Sequence, residues 1–184
     1  DLRRLMVSDA PSPYETVPDA ESGRGPLDVE RVAAEDIEGP AARAFLTEAG
    51  LVRGYGRLFR HPAQPEDNVT LELYQYETGD GARRDMERAD RLVPRLAAAN
   101  NLSWQPFGVD TVPGARGYSL VPAGGGPTMQ IVTFARGPFA AAVAVTSVDQ
   151  DDARDAAVSL AETQRARLSK VERVEQLVVD AYRL

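Results

Sequence analysis

Cysteine is absent from this 184-residue chain, and histidine, tryptophan and lysine each occur once, as His61, Trp104 and Lys170. Without cysteine there is no disulfide framework, no thiol nucleophile and no thiolate metal site. A Ser–His–Asp triad or a histidine-ligated metal would have to use His61. That residue sits in the proline-flanked stretch HPAQPEDN, and no G-x-S-x-G elbow exists to pair with it. No apolar run approaches the roughly 20 residues that a membrane-spanning helix needs. Gly54-Tyr55-Gly56 lacks the third glycine and the following helix of a dinucleotide fingerprint, and no Walker pattern occurs. The expectation is a chain that is not an enzyme and carries no cofactor or metal.

What is present is acidic. Twenty-eight Asp and Glu against 21 Lys and Arg give a formal charge of −7. Phosphate backbones need a basic surface, so no nucleic acid is expected as partner. The same balance argues against docking on anionic head groups through the domain's own face; a membrane enters only through an anchor upstream of Asp1. A hydrophobic share of 43% with 27% charged residues is ordinary for a soluble globular protein. Twenty of the 21 basic residues are arginine and alanine is abundant, the signature of a GC-rich genome. The densest carboxylate cluster, Asp149, Asp151, Asp152 and Asp155, lacks the spacing and glycine of an EF-hand and reads as the acidic first turn of a helix.

Residues 1–28 carry four prolines and two glycines among acidic residues, and read as a lead-in that blocks regular helix. They form either a spacer or a strand laid along the domain edge; residues 29–184 form one α+β domain. A helix is predicted over Pro40 to Ala49, closed by Gly50, with Ala42, Phe45 and Ala49 as its buried stripe. Strands follow at Leu51–Arg60 and Val69–Tyr76. In the second, Leu71 and Leu73 face one way and Tyr74 and Tyr76 the other. Next comes a helix capped by Thr78 or Asp80, with a stripe of Ala82, Met86, Ala89, Val93 and Leu96, and a kink or restart at Pro94.

Short extended stretches occupy SWQPFGVDTV and GYSLVP, and a buried hairpin spans PTMQIVTFAR and FAAAVAVTSV. On the last strand Phe139, Val143 and Val145 face one side. Ala140, Ala142 and Ala144 face the other, and would let the following helix approach closely. That C-terminal helix, capped by Asp151 or Asp152, is expected to weaken at Gln164 and Arg167 and to break near Ser169. Its stripe from Val171 to Ala181 could pack on its own sheet or pair a homodimer. LELYQYETGDGARRDM echoes VAVTSVDQDDARDA, giving β-β-α twice. The predicted fold class is α+β: one antiparallel sheet of five or six strands with helices packed across it.

The segments GRGPLDVERVAAED, ARAFLTEAGLVRGYGR, LELYQYETGDGARRD, VPGARGYSL and VTFARGPFAAAVAV resemble a family of uncharacterised actinobacterial exported proteins and lipoproteins. More distantly, the layout resembles the PsbP/Mog1-type α/β/α sandwich. The resemblance implies an extracellular or cell-envelope location, lipid- or membrane-anchored in such proteins, and supplies no catalytic residue. The expected function is a non-catalytic exported domain that binds a partner protein or envelope component. The alternative is a carrier or sensor with an apolar pocket between sheet and helix. Tyr55, Tyr74, Tyr76, Trp104 and Phe107 are the candidate groove; their other reading is a sheet face covered by a helix.

Overall fold

A computed structural model describes the backbone of residues 1–181 and the side chains of residues 1–171. Eight strands form one sheet: β1 (Glu15–Val17), β2 (Gly25–Leu27), β3 (Leu51–Arg60), β4 (Asn68–Tyr76), β5 (Leu102–Phe107), β6 (Arg116–Pro122), β7 (Thr128–Arg136) and β8 (Phe139–Ser147). The order is β1-β3-β4-β8-β7-β6-β5 with every pairing antiparallel, and β2 adds to the same strand, β3, as β1 does. The excess over five or six strands comes from β1 and β2, three residues each, too short to show period-2 alternation in the sequence.

Among the described residues there are also a 3-10 turn at the N-terminus (Leu2–Arg4) and five α-helices: α1 (Asp19–Ser22), α2 (Val29–Glu35), α3 (Pro40–Glu48), α4 (Gly79–Ala99) and α5 (Gln150–Ala181). They form a layer on each side of the sheet. One face of β4 and β8 presents Leu71, Leu73, Val143 and Val145 to Ala153, Ala157, Ala161 and Leu168 of α5. The other presents Tyr76 and Ala140 to Ala82 of α4, with Ala42 and Leu46 of α3 beside them. The period-2 rule placed Leu71 and Leu73 opposite the tyrosines, and the fold has them so. The expected partner of the alanine face is corrected, because α5 lies over the valine face and Ala140 meets the α4 layer.

Several local expectations shift as well. Thr78 Oγ1 accepts from Gly81 N at 3.1 Å, so Thr78 rather than Asp80 caps α4. Asp149 Oδ1 accepts the amides of Asp151 and Asp152, both at 3.1 Å, so the cap of α5 lies before the residues expected to supply it. Both helices run through their suspected interruptions. α4 continues past Pro94, which costs the hydrogen bond to the Asp90 carbonyl but leaves Val93 and Ala97 buried. α5 continues past Ser169, because Gln164 and Arg167 have buried work to do rather than weakening the stripe. Val174, Val178 and Ala181 of the expected stripe lie outside the side chains described.

The β-β-α echo is not a symmetric repeat. β4 and β8 are antiparallel neighbours, and a two-fold axis exchanging them stands normal to the sheet, so it would leave both following helices on one face. They lie on opposite faces. Among the described residues no helix is long and apolar enough to cross a membrane.

Residues 1–28 lie along the domain. β1 pairs Glu15–Val17 with Leu58–Arg60, and Leu2, Met6 and Val7 are buried in the α5-side core. A polar clamp holds them. Val7 N donates to Gln164 Oε1 and Gln164 Nε2 donates to the Leu5 carbonyl, both at 2.9 Å. Arg167 donates to the Met6 carbonyl at 2.8 Å and Arg57 to the Val7 carbonyl at 2.5 Å. Gln164 is 1% exposed, so both groups it satisfies would be stranded without it. Replacing Gln164 by Leu should therefore cost about 2–5 kcal/mol, the desolvation of two orphaned backbone groups, measured as a shift in urea midpoint at unchanged slope.

Candidate functional site

On the α4 side the sheet and helix enclose a cleft of about 310 Å³. Its floor is cut low by small residues: Ala140 and Ala142 stand on β8 where larger side chains would fill the space. Ile131 and Thr133 of β7, Met86, Ala89, Leu92, Val93 and Leu96 of α4, and Val32 of α2 make the walls, which are mainly apolar. Gly54 keeps the β3 side open to Tyr74, since a Cβ there would lie 2.7 Å from that ring. Gly81 has a similar role at the helix start, where a Cβ would fall 2.1 Å from the Ala49 carbonyl. The first turn of α4 therefore sits against the end of α3 only because residue 81 has no side chain.

Charged groups gather at the α2 side of the cleft. Arg88, 7% exposed, donates through Nη2 to Asp36 Oδ1 at 2.8 Å and to Glu38 Oε2 at 3.0 Å, with its Nε also on Glu38 at 3.2 Å. Its guanidinium stacks on Phe45, 5.1 Å from the ring centre. Arg95 also pairs with Glu38. The Arg95 hydrogen bond, followed by Arg88, holds the Glu38 carboxyl below its ordinary range. This network fastens the loop between α2 and α3 to α4. Across the cleft, Arg24 bridges Glu72 at 2.9 Å and Glu35 at 3.2 Å, and Tyr74 Oη donates to Glu72 at 2.8 Å. Burial, then the Glu72 charge, drives the Tyr74 phenol well above its usual pKa.

Asp85 differs from the other acids. No guanidinium lies within ion-pair distance of it among the described residues, and burial pushes its carboxyl above the ordinary range despite the Tyr76 hydroxyl and the Arg88 charge. The Tyr76 hydroxyl lies beside it without a well-formed hydrogen bond, and burial raises that phenol too. Thr133 Oγ1, in the opposite wall, is buried and unpaired. Buried polar atoms are normally satisfied, and of these two hydroxyls Tyr76 has the Asp85 carboxyl beside it while Thr133 has no partner among the described residues.

The five candidate aromatics divide. Tyr74 and Tyr76 come together in the cleft. Trp104, 39% exposed, lies at the far edge of the sheet, 6.5 Å from the Tyr118 ring. Phe107 packs against the α5-side core beneath Arg154. Tyr55 is in that same core, its hydroxyl on Asp19. The five thus do not share one groove: Tyr74 meets Tyr76 in this cleft, Trp104 and Phe107 line one recess at the β5 edge, and Tyr55 stands apart in the α5-side core. Asp85, Arg88, Glu72 and Thr133 escaped the sequence reading. The available signal was Asp85 itself, which heads an apolar i, i+4, i+7, i+11 row with Ala89, Leu92 and Leu96.

A two-layered helical cover on an antiparallel sheet, with a side cleft, is the class this chain defines. Its fold is similar to that in the crystal structure of the extracellular domain of PknH from Mycobacterium tuberculosis. The TM-score is 0.57, at 10% sequence identity, over 89% of this chain and 94% of that one. At that identity the likeness is one of fold. That neighbour is a mycobacterial extracellular domain, in keeping with the resemblance to actinobacterial exported proteins; it does not carry the PsbP/Mog1 likeness. No family model matches the sequence, and no curated protein matches it.

The raised Asp85 pKa has a testable sign. Between the ordinary carboxylate value and the raised one, the folded state keeps a proton that the unfolded chain has released, so stability falls as pH rises through that window. Asp85→Asn removes the dependence. The variant should be at least as stable as wild type at neutral pH, with its advantage shrinking as pH falls through the carboxylate range, in urea melts across a pH series.

Proposed function

We propose that the chain is an exported, non-catalytic domain that binds a small, mainly apolar ligand between its sheet and α4. The observation that carries the reading is the cleft of about 310 Å³, its walls mainly apolar, with the Asp85 carboxyl and Thr133 among the few polar groups that line it. This volume is at the lower end of known ligand pockets, and apolar walls with a few convergent polar groups are their usual make-up. The carboxyls of Glu35, Asp36, Glu72 and Asp85 around it favour a neutral or cationic head over an acid. Export is supported by the fold of the mycobacterial extracellular domain.

A binding role also suits the use made of His61. Its Nδ1 accepts the amides of Ala63 and Gln64, both at 3.1 Å, and its ring meets Tyr14 edge-on at 5.9 Å between centres. The nitrogen a general base would use is occupied with shaping a turn.

A second reading, docking of a partner protein or envelope component, has one specific support. β5 ends the sheet with four consecutive exposed residues, Trp104 among them, and an unpaired strand edge is a natural template for another chain.

Fluorescence titration tests the first reading. The neutral probe N-phenyl-1-naphthylamine should bind saturably at one site, more tightly than the anionic 8-anilinonaphthalene-1-sulfonate. Ala142→Phe, which fills the floor, should abolish the uptake while the far-ultraviolet circular dichroism stays unchanged. Absence of saturable binding, or binding indifferent to Ala142→Phe, would discard it.

A further inference from the structure

A second recess lies on the α5 side, between the N-terminal turn, β1 and α5, with a volume of about 890 Å³. Arg3, Arg4, Arg57 and Arg167 line it, with Asp1 and Asp19 as the acids on its walls. Such a concentration of guanidinium is out of keeping with a chain of net charge −7. The two carboxylates do not neutralise it. Asp1 faces Arg4 at 3.7 Å and accepts the Arg3 amide at 3.1 Å, while Asp19 receives the Tyr55 hydroxyl. Arg3, Arg57 and Arg167 have no carboxylate within ion-pair distance among the described residues.

Arg57 is the decisive member. It is 6% exposed, on the sheet beneath the lead-in, and its protein acceptor is the neutral Val7 carbonyl. Arg167 has the Met6 carbonyl in the same way. A carbonyl takes one of the five N–H groups of a guanidinium and none of its charge. Arginine is almost never this deeply buried unless paired, because the desolvation of the charge is otherwise unreturned. The missing countercharge is most simply one that enters the groove.

We propose that this groove is an oxyanion site that takes a phosphate group between Arg3, Arg57 and Arg167. Guanidinium forks match phosphate oxygens in geometry and charge, and their hydrogen bonds to anions are about twice as strong as neutral ones. The site lies across the sheet from the apolar cleft and does not depend on it.

Calorimetry with inorganic phosphate at low ionic strength, where screening is weak, is the first arm of the test. Wild type should bind one equivalent. Arg3→Glu, at an exposed side chain that takes no part in clamping the lead-in, should weaken binding about tenfold or more, and Arg3→Lys should keep most of it. Arg83→Glu, on the far side of the sheet, should change nothing. Sedimentation with phosphatidylcholine vesicles containing phosphatidylglycerol is the second arm. Capture of wild type but not of Arg3→Glu, without binding of free phosphate, assigns the phosphate to a lipid head group. Thermal melts without ligand separate lost binding from lost fold, and Arg167→Gln is read beside Arg3→Glu for the same purpose. If neither probe binds, or if binding survives Arg3→Glu and Arg167→Gln in folded protein, the proposal is overturned.

Discussion

The seam between β4 and β8 is the constraint on which the rest of the molecule depends. Two hairpins, β3–β4 and β7–β8, meet there, and Val69, Leu71, Leu73, Val143 and Val145 along it are at most 1% exposed. These five share one face, which demands a cover, while the opposite face, with Thr70, Glu72, Ala142 and Ala144, is half-buried and needs only a partial one. The chain meets that demand by sending the helix after each hairpin to a different side. Once α5 has taken the valine face, α4 is left with the face of alanines and tyrosines. It cannot close tightly over Ala140 and Ala142, and the cleft is the space that remains.

Charge is segregated by the same division. On the α4 side, acids outnumber guanidiniums around the cleft, and Arg88, bound to Asp36 and Glu38 and stacked on Phe45, ties the α2–α3 loop down beside it. On the α5 side, guanidinium prevails in the groove beneath the lead-in. A net charge of −7 therefore describes neither surface. Whole-chain charge governs solubility and long-range steering, while a recess is governed by the few groups whose fields its low-dielectric walls concentrate.

Period and composition made much of the scaffold legible. The alternation in VTLELYQY named both faces of β4, and the stripe Ala82, Met86, Ala89, Val93 and Leu96 named the inner side of α4. Gly50, at φ 76°, ends α3 where its position predicted. The candidate site was half legible. Tyr74 and Tyr76 were found because one strand carries both, so period-2 spacing alone puts them together. Trp104 and Phe107 share a different recess and Tyr55 lies in the α5-side core, because they stand on other strands, where pairing register decides the face. Pro94 and Gln164 misled for a related reason. Each is a local flaw in a helix pattern, and each is outweighed by tertiary contacts: buried Val93 and Ala97 around one, and the backbone of residues 5–7 against the other.

The amino-acid order by itself determined the element types, the capping chemistry of α4, the inward faces of β4 and α4, and the want of a second imidazole or any thiol, since each is written in spacing of a few residues or in composition. Only the tertiary structure decided which helix covers which face, that a proline-rich lead-in is clamped into the core, and that Asp85, Thr133 and Arg57 are buried without a full set of partners. Those outcomes turn on residues far apart in the chain, such as Val7 and Gln164 or Val7 and Arg57. No local pattern records what a distant segment will bring to such a residue when the sheet closes.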